Sequence, residues 1–128
     1  MKSFTDLKQS KKLAEILPLE SADMYYTPPL IKGHTDYIPH LKRKLPIDWD
    51  IEQAVPCWSL SALLNVLPRF IEFKGDKYYL RFMKEYVEYA NDEISITGRY
   101  LHTTGNDNLV DACVEMILKL HELNLLRL

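Results

Sequence analysis

Hydrophobic and polar positions along the chain change period several times, and each change marks an element. Leu7, Leu13, Ala14 and Leu17 fall on one face of a helix that starts near Thr5 or Asp6 and stops at Pro18. The side-chain oxygens of Thr5 and Asp6 suit the first-turn amides, which have no partner within a helix. A second helix is written between Pro56 and Pro68. Ser59 is its expected N-cap, Leu60, Leu63, Leu64 and Leu67 keep the i, i+3, i+4, i+7 spacing, and Trp58 stands where a hydrophobic staple on Leu63 belongs. A third helix is expected from Asp107 or Asn108 to about Leu123, with Leu109, Ala112, Cys113, Met116, Ile117 and Leu120 as its buried stripe.

Between the second and third helices the alternation has a period of two. A turn at Gly75-Asp76 sets Phe73 opposite Tyr78 and Ile71 opposite Leu80. A turn at Lys84-Glu85 then places Val87 beside Phe82, Tyr89 beside Leu80 and Glu88 opposite Arg81. A third turn at Asn91-Asp92 brings Ile94 to Tyr89 and Ile96 to Val87. The result is a four-stranded antiparallel meander over 69–97 that keeps one apolar face. Leu80, Met83, Val87 and Ala90 also fit a helical spacing, so a helix over 77–90 is the rival reading. The density of Tyr, Phe and Val favours strands.

Residues 21–50 lack either period and carry Pro28, Pro29, Gly33, Pro39 and Pro46. The expectation is a long irregular segment, with a short edge strand near Leu30 and with some of Met24, Tyr25, Tyr26, Leu30, Ile31, Tyr37, Ile38 and Trp49 on the core. Long loops in compact domains are often functional, so this segment is the expected region of partner contact.

The whole is an α+β fold: a single domain over 1–128, with an antiparallel four-stranded meander and helices packed on one of its faces. Composition agrees. Hydrophobic residues make up 47% and charged residues 27% of 128, enough for one core and unlike a disordered chain. The formal net charge of −2 does not segregate along the chain, which argues against a dedicated polyanion binder. The N-terminus has no apolar run after Lys2, and no stretch approaches the length of a membrane span, so a cytoplasmic protein is expected.

Candidate chemistry is sparse. Cys57 and Cys113 are the only cysteines, and each sits among apolar neighbours, as small core hydrophobes do. A thiolate nucleophile would need a base such as His102 brought by the fold. His34, Asp36 and His40 match no defined metal spacing. Asp111 and Glu115 lie one helical turn apart, an arrangement common on solvated helices. Four scattered glycines, Gly33, Gly75, Gly98 and Gly105, make no phosphate loop. The one dense basic run is His40-Leu41-Lys42-Arg43-Lys44. With Trp49 nearby, Lys42, Arg43, Lys44 and Trp49 form the candidate contact for a partner or for nucleic acid.

Three segments carry a resemblance: Ser21 to Tyr26 after an amphipathic helix, Pro56 to Pro68, and Asp107 to Ile117. In these the chain resembles an uncharacterised family of small proteins from gut Bacteroidales and their phages or mobile elements. The resemblance implies a bacterial or phage cytosolic setting, and implies Ala more often at the position of Cys57. It implies no activity and no cofactor. The residues with strong sequence logic all serve packing, so the expected function is a non-catalytic interaction or accessory protein with a protein partner. A nucleic-acid-binding accessory protein is the second reading, and a small enzyme with a site built only by the fold is the third.

Overall fold

The computed structural model describes residues 2–29, 33, 36–41, 54–91 and 98–126. Helix α1 spans Leu7–Ala14 and opens with a reciprocal cap, in which Asp6 accepts from the Gln9 amide and the Gln9 side chain accepts from the Asp6 amide. It buries Ser10 and Leu13, and Leu17 follows beyond its end. Ala14 is exposed, contrary to the periodicity. The inward position goes to Ser10, whose hydroxyl lies 2.7 Å from that of buried Thr5.

The chain then enters β1 (Met24–Thr27), which is buried along its whole length. It pairs antiparallel with β2 (Ile38–Leu41) on one side and β3 (Val55–Cys57) on the other. This three-stranded sheet replaces much of the irregular segment expected over 21–50. Prolines sit on both of its edges: Pro39, one of those that argued for a loop, faces Tyr26 from β2, and Pro56, expected to open the second helical segment, faces Tyr25 from β3. An edge strand tolerates proline because one side of it needs no ladder amide. Leu30 lies outside the described residues.

Helix α2 (Leu60–Val66) is capped by Ser59, whose hydroxyl oxygen accepts from the Ala62 amide at 3.2 Å. Trp58 and Leu63 before and within it are fully buried. The N-terminal segment is stitched here too, since the Thr5 amide donates to the Trp58 carbonyl at 2.9 Å and the Ser3 carbonyl accepts from the Leu60 amide.

The second sheet is the meander, in the order β4 (Phe70–Phe73), β5 (Asp76–Met83), β6 (Tyr86–Ala90) and β7 (Arg99–His102). The β5–β6 register is as the alternation predicts, with Phe82 opposite Val87, Leu80 opposite Tyr89 and Arg81 opposite Glu88. Strands, not a helix, occupy 77–90. The first hairpin is offset by two residues, with Phe73 opposite Asp76 and Ile71 opposite Tyr78. Its turn is Lys74-Gly75, both at positive φ (52° and 85°), the primed geometry that matches strand twist. Because the offset is even, Ile71, Tyr78 and Leu80 stay on the predicted face. The fourth strand differs. Tyr89 faces Leu101, and Ala90 faces Arg99 across a bulge, so the partner of β6 is 99–102 rather than 92–97. Ile94 and Ile96 lie outside the described residues.

Helix α3 (Leu109–Glu122) covers the inner face of this sheet by packing on β6. Asn108 caps it, accepting from the Asp111 amide at 2.9 Å. It buries Val110 and Val114 as well as the predicted stripe from Ala112 to Leu120, with Leu109 only half-buried, because α2 packs on a second side of it. Thus α3 alone lies broadly on the sheet, and α2 packs chiefly on α3. At its end Leu125 donates to the Leu120 carbonyl and Asn124 to that of His121, with Asn124 at φ 57°. That pair of bonds is the left-handed termination that satisfies the last carbonyls of a helix.

Candidate functional site

The residues singled out by sequence separate sharply. Lys42, Arg43, Lys44 and Trp49 lie outside the described residues, as does His34. His40 is on β2, with Nε2 2.9 Å from the Thr27 hydroxyl. Among the described residues, no group of His, Cys, Asp and Glu could hold a metal ion. None of their helices is long and apolar enough to cross a membrane.

Both thiols are fully buried. Burial pushes Cys57 up from its ordinary value, against hydrogen bonds with Thr5 and Ser10 that act the other way. Its Sγ donates to the Thr5 carbonyl at 3.5 Å. Burial likewise raises Cys113, to about 12. Neither site favours a thiolate. His102 serves a different partner: its Nδ1 lies 3.1 Å from the Glu88 carboxylate.

The Asp111–Glu115 pair is not a carboxylate dyad. Asp111 accepts from Lys2 and Gln9, each at 2.8 Å, and from Asn108, whereas Glu115 pairs with Lys119 and accepts from Asn106. Burial would raise the Asp111 carboxyl, but the bonds from Lys2, Gln9 and Asn108 outweigh it and hold the group below the usual carboxylate range. Similarly, Asp23 accepts from both the amide and the hydroxyl of Ser59. These polar clusters fix helix starts.

The candidate site lies where the meander turns away from α3. Strand alternation puts Phe70, Glu72, Lys77, Tyr79, Arg81 and Met83 on the outer face of β4 and β5. Phe70, Tyr79 and Met83 are exposed there by 39%, 53% and 59%. Phe70 and Tyr79 face each other in register, with ring centroids 6.1 Å apart and planes at 50°. The Lys77 ammonium stands 4.8 Å from the Phe70 ring. Beside them opens a bowl of about 420 Å³, lined by Gly75, Asp76, Lys77, Tyr79, Arg81, Ala90 and Asn91.

The β6–β7 half of the same face is closed. Glu88 is buried, with its carboxylate 2.8 Å from Arg99 Nε as well as bonded to His102. Tyr86 packs on the His102 ring with centroids 4.7 Å apart. One half of the outer face therefore holds a buried carboxylate tied to Arg99 and His102, and the other presents exposed rings. The alternation that marks the apolar face of the meander also carries Phe70, Tyr79 and Met83 to the opposite side, and this is the sequence signal for the candidate site.

The chain matches no protein family model, no curated protein and no solved structure.

Proposed function

We propose that the chain is a non-catalytic accessory protein that acts by binding a macromolecular partner on the β4–β5 half of its outer sheet face. The observation that carries this is the exposure of Phe70, Tyr79 and Met83 side by side on a face that already has its helix on the other side. Aromatic residues, methionine and arginine are the types enriched in binding interfaces, and here they stand with Arg81 among them. A bacterial or phage cytoplasm as the setting follows from the family resemblance alone. The enzyme reading is the weaker one, because among the described residues the bowl holds no nucleophile beside a base and both thiols are sealed in the core.

The test is a triple variant, Phe70→Ser, Tyr79→Ser, Met83→Ser, compared with the parent chain. All three side chains are exposed, so the urea midpoint should hold. The parent should retain a specific partner from host extract, crosslinked through a photoreactive residue at position 79 and not through one at exposed Asn65, and the variant should lose it. Equal recovery by both proteins overturns the reading, as does turnover of a metabolite that survives in the triple variant.

A further inference from the structure

We infer that the chain pairs with a second copy of itself along the open edge of β4, antiparallel, with the twofold axis at Ile71. This goes beyond the binding face, since it concerns the backbone at the rim of the sheet. The Leu80 amide donates to the Arg69 carbonyl at 3.0 Å, so Arg69 and Leu80 are a bonded pair of the β4–β5 ladder. By alternation the next bonded pairs are Ile71 with Tyr78 and Phe73 with Asp76. The amides and carbonyls of Phe70 and Glu72 therefore point off the sheet, where no described strand lies. A groove of about 260 Å³ opens along them, lined by residues 68–72 and by Asn124 and Leu125 beyond α3.

The other edges among the described strands are guarded. Strands β2 and β3 carry Pro39 and Pro56, and at β7 the His102 carbonyl is taken by Lys119 Nζ at 2.9 Å. Proline and lysine are common means by which an edge refuses a further strand. Phe70-Ile71-Glu72-Phe73 contains neither, and its ladder to β5 has no bulge.

The sequence of β4 is its own complement in one register. Pairing about Ile71 sets Phe70 opposite the second copy's Glu72, twice by symmetry, so every outward amide and carbonyl of both residues is used. An axis at Glu72 would instead set two carboxylates directly opposite, a destabilising arrangement, and would bring Phe70 against Lys74, whose φ of 52° is not extended. An axis at Phe70 would bring Glu72 against Pro68, which has no amide to give. In the register about Ile71 the outer face is complementary as well. The Lys77 ammonium stands 4.8 Å from the Phe70 ring, and that ring lies directly opposite the second copy's Glu72, so an ion pair forms on each side of the axis. The two Phe70 rings become diagonal neighbours, within reach of aromatic side chains, and each is backed by its own Tyr79 at 6.1 Å. Charge and rings thus both favour a second copy over an unrelated peptide.

The test is sedimentation velocity of the full chain across the micromolar range, where the parent should run with twice the chain mass. Glu72→Pro removes an amide that β5 does not use and should weaken the dimer roughly tenfold or more, since the bond is lost twice by symmetry. Glu72→Lys leaves the backbone intact and should weaken it too, and adding Lys77→Glu to that variant should restore it. Circular dichroism of each variant checks that the chain is folded. Cysteines fix the register: Phe70→Cys mixed with Glu72→Cys should crosslink on oxidation, whereas either chain alone should crosslink far less, because like positions are diagonal and about 7–8 Å apart. A monomer at every concentration, a dimer indifferent to both Glu72 variants, or Glu72→Cys crosslinking with itself as readily as with Phe70→Cys overturns the inference. If the parent is a monomer and the triple variant still loses a captured protein, this inference falls and the binding face stands; if the parent is a Glu72-dependent dimer and the triple variant loses nothing from host extract, the reverse holds.

Discussion

Arg99 Nε lies 2.8 Å from the carboxylate of Glu88, a side chain only 7% exposed on a sheet face that elsewhere carries open rings. The pair joins β6 to β7 immediately beside the bulge at Tyr89 and Ala90. Arg99 is about half exposed, so the solvent-facing part of the interaction is screened and the buried carboxylate dominates the energetics. Glu88→Ala should cost about 1.5–3 kcal/mol, the usual range for hydrogen bonds to a charged group. Arg99→Ala should cost less, since His102 still serves the carboxylate. Urea unfolding of the two single variants and the double variant checks this, and a coupling near zero would refute it.

The Lys74-Gly75 turn makes a prediction that depends on its register. Position 74 has a φ of 52°, which suits Asn and penalises a β-branched residue. Lys74→Asn should leave stability within about 0.5 kcal/mol, and Lys74→Val should cost about 1–2 kcal/mol. Were the turn at Gly75-Asp76, position 74 would be in a strand and Val would be welcome there. Urea midpoints decide between the two.

Asp111 and Lys2 link stability to pH at opposite ends of the scale. The folded Asp111 carboxyl is held below its unfolded value, so its contribution is present above about pH 4 and is lost as pH falls through the lower folded value. For Lys2, burial works to lower the ammonium, but bonds to Asp111 and Asp6 prevail and raise it, so its contribution is present below about pH 10.5 and fades as pH climbs beyond that. Asp111→Asn should therefore be less stable than the parent at neutral pH, and the difference should shrink in strong acid. Thermal melts across the acid range test the sign.

Cys57 and Cys113 should be silent toward a thiol reagent such as 5,5′-dithiobis(2-nitrobenzoate) in the folded chain at neutral pH. Both are fully buried, and both thiols are raised. Two thiols should appear together in urea, at the midpoint reported by circular dichroism. Prompt reaction of one thiol without denaturant would show that its part of the core opens on its own.

Much of the architecture was legible because local signals agreed with one another. Asp6, Ser59 and Asn108 are each the cap that their side chains announce, and the β5–β6 register follows from matching Phe82 with Val87 and Leu80 with Tyr89. The second sheet was hidden by its prolines: Pro39 read as a loop residue and Pro56 as the opening of the second helical segment, and only the pairing of both with β1 shows them to be edge residues. Strand β1 itself, Met24-Tyr25-Tyr26-Thr27, is buried on both faces and has no alternation to reveal it. The fourth strand was misplaced because Ile94 and Ile96 offered a shorter connection than Arg99–His102. The basic run with Trp49 stood out as a cluster in sequence, whereas Phe70, Tyr79 and Met83 come together only once the strands separate alternate residues onto two faces.

The position of α3 has a consequence for synthesis. Val110, Cys113, Met116, Ile117 and Leu120 are all fully buried, and they come after every strand of the meander. While these residues are still inside the ribosome, the inner face of the sheet, with Val87 and Tyr89 at its centre, lacks the helix that covers it. Closure of the meander's core therefore waits on α3, and a stalled product ending before Leu109 would expose an apolar sheet, the kind of surface that chaperones engage.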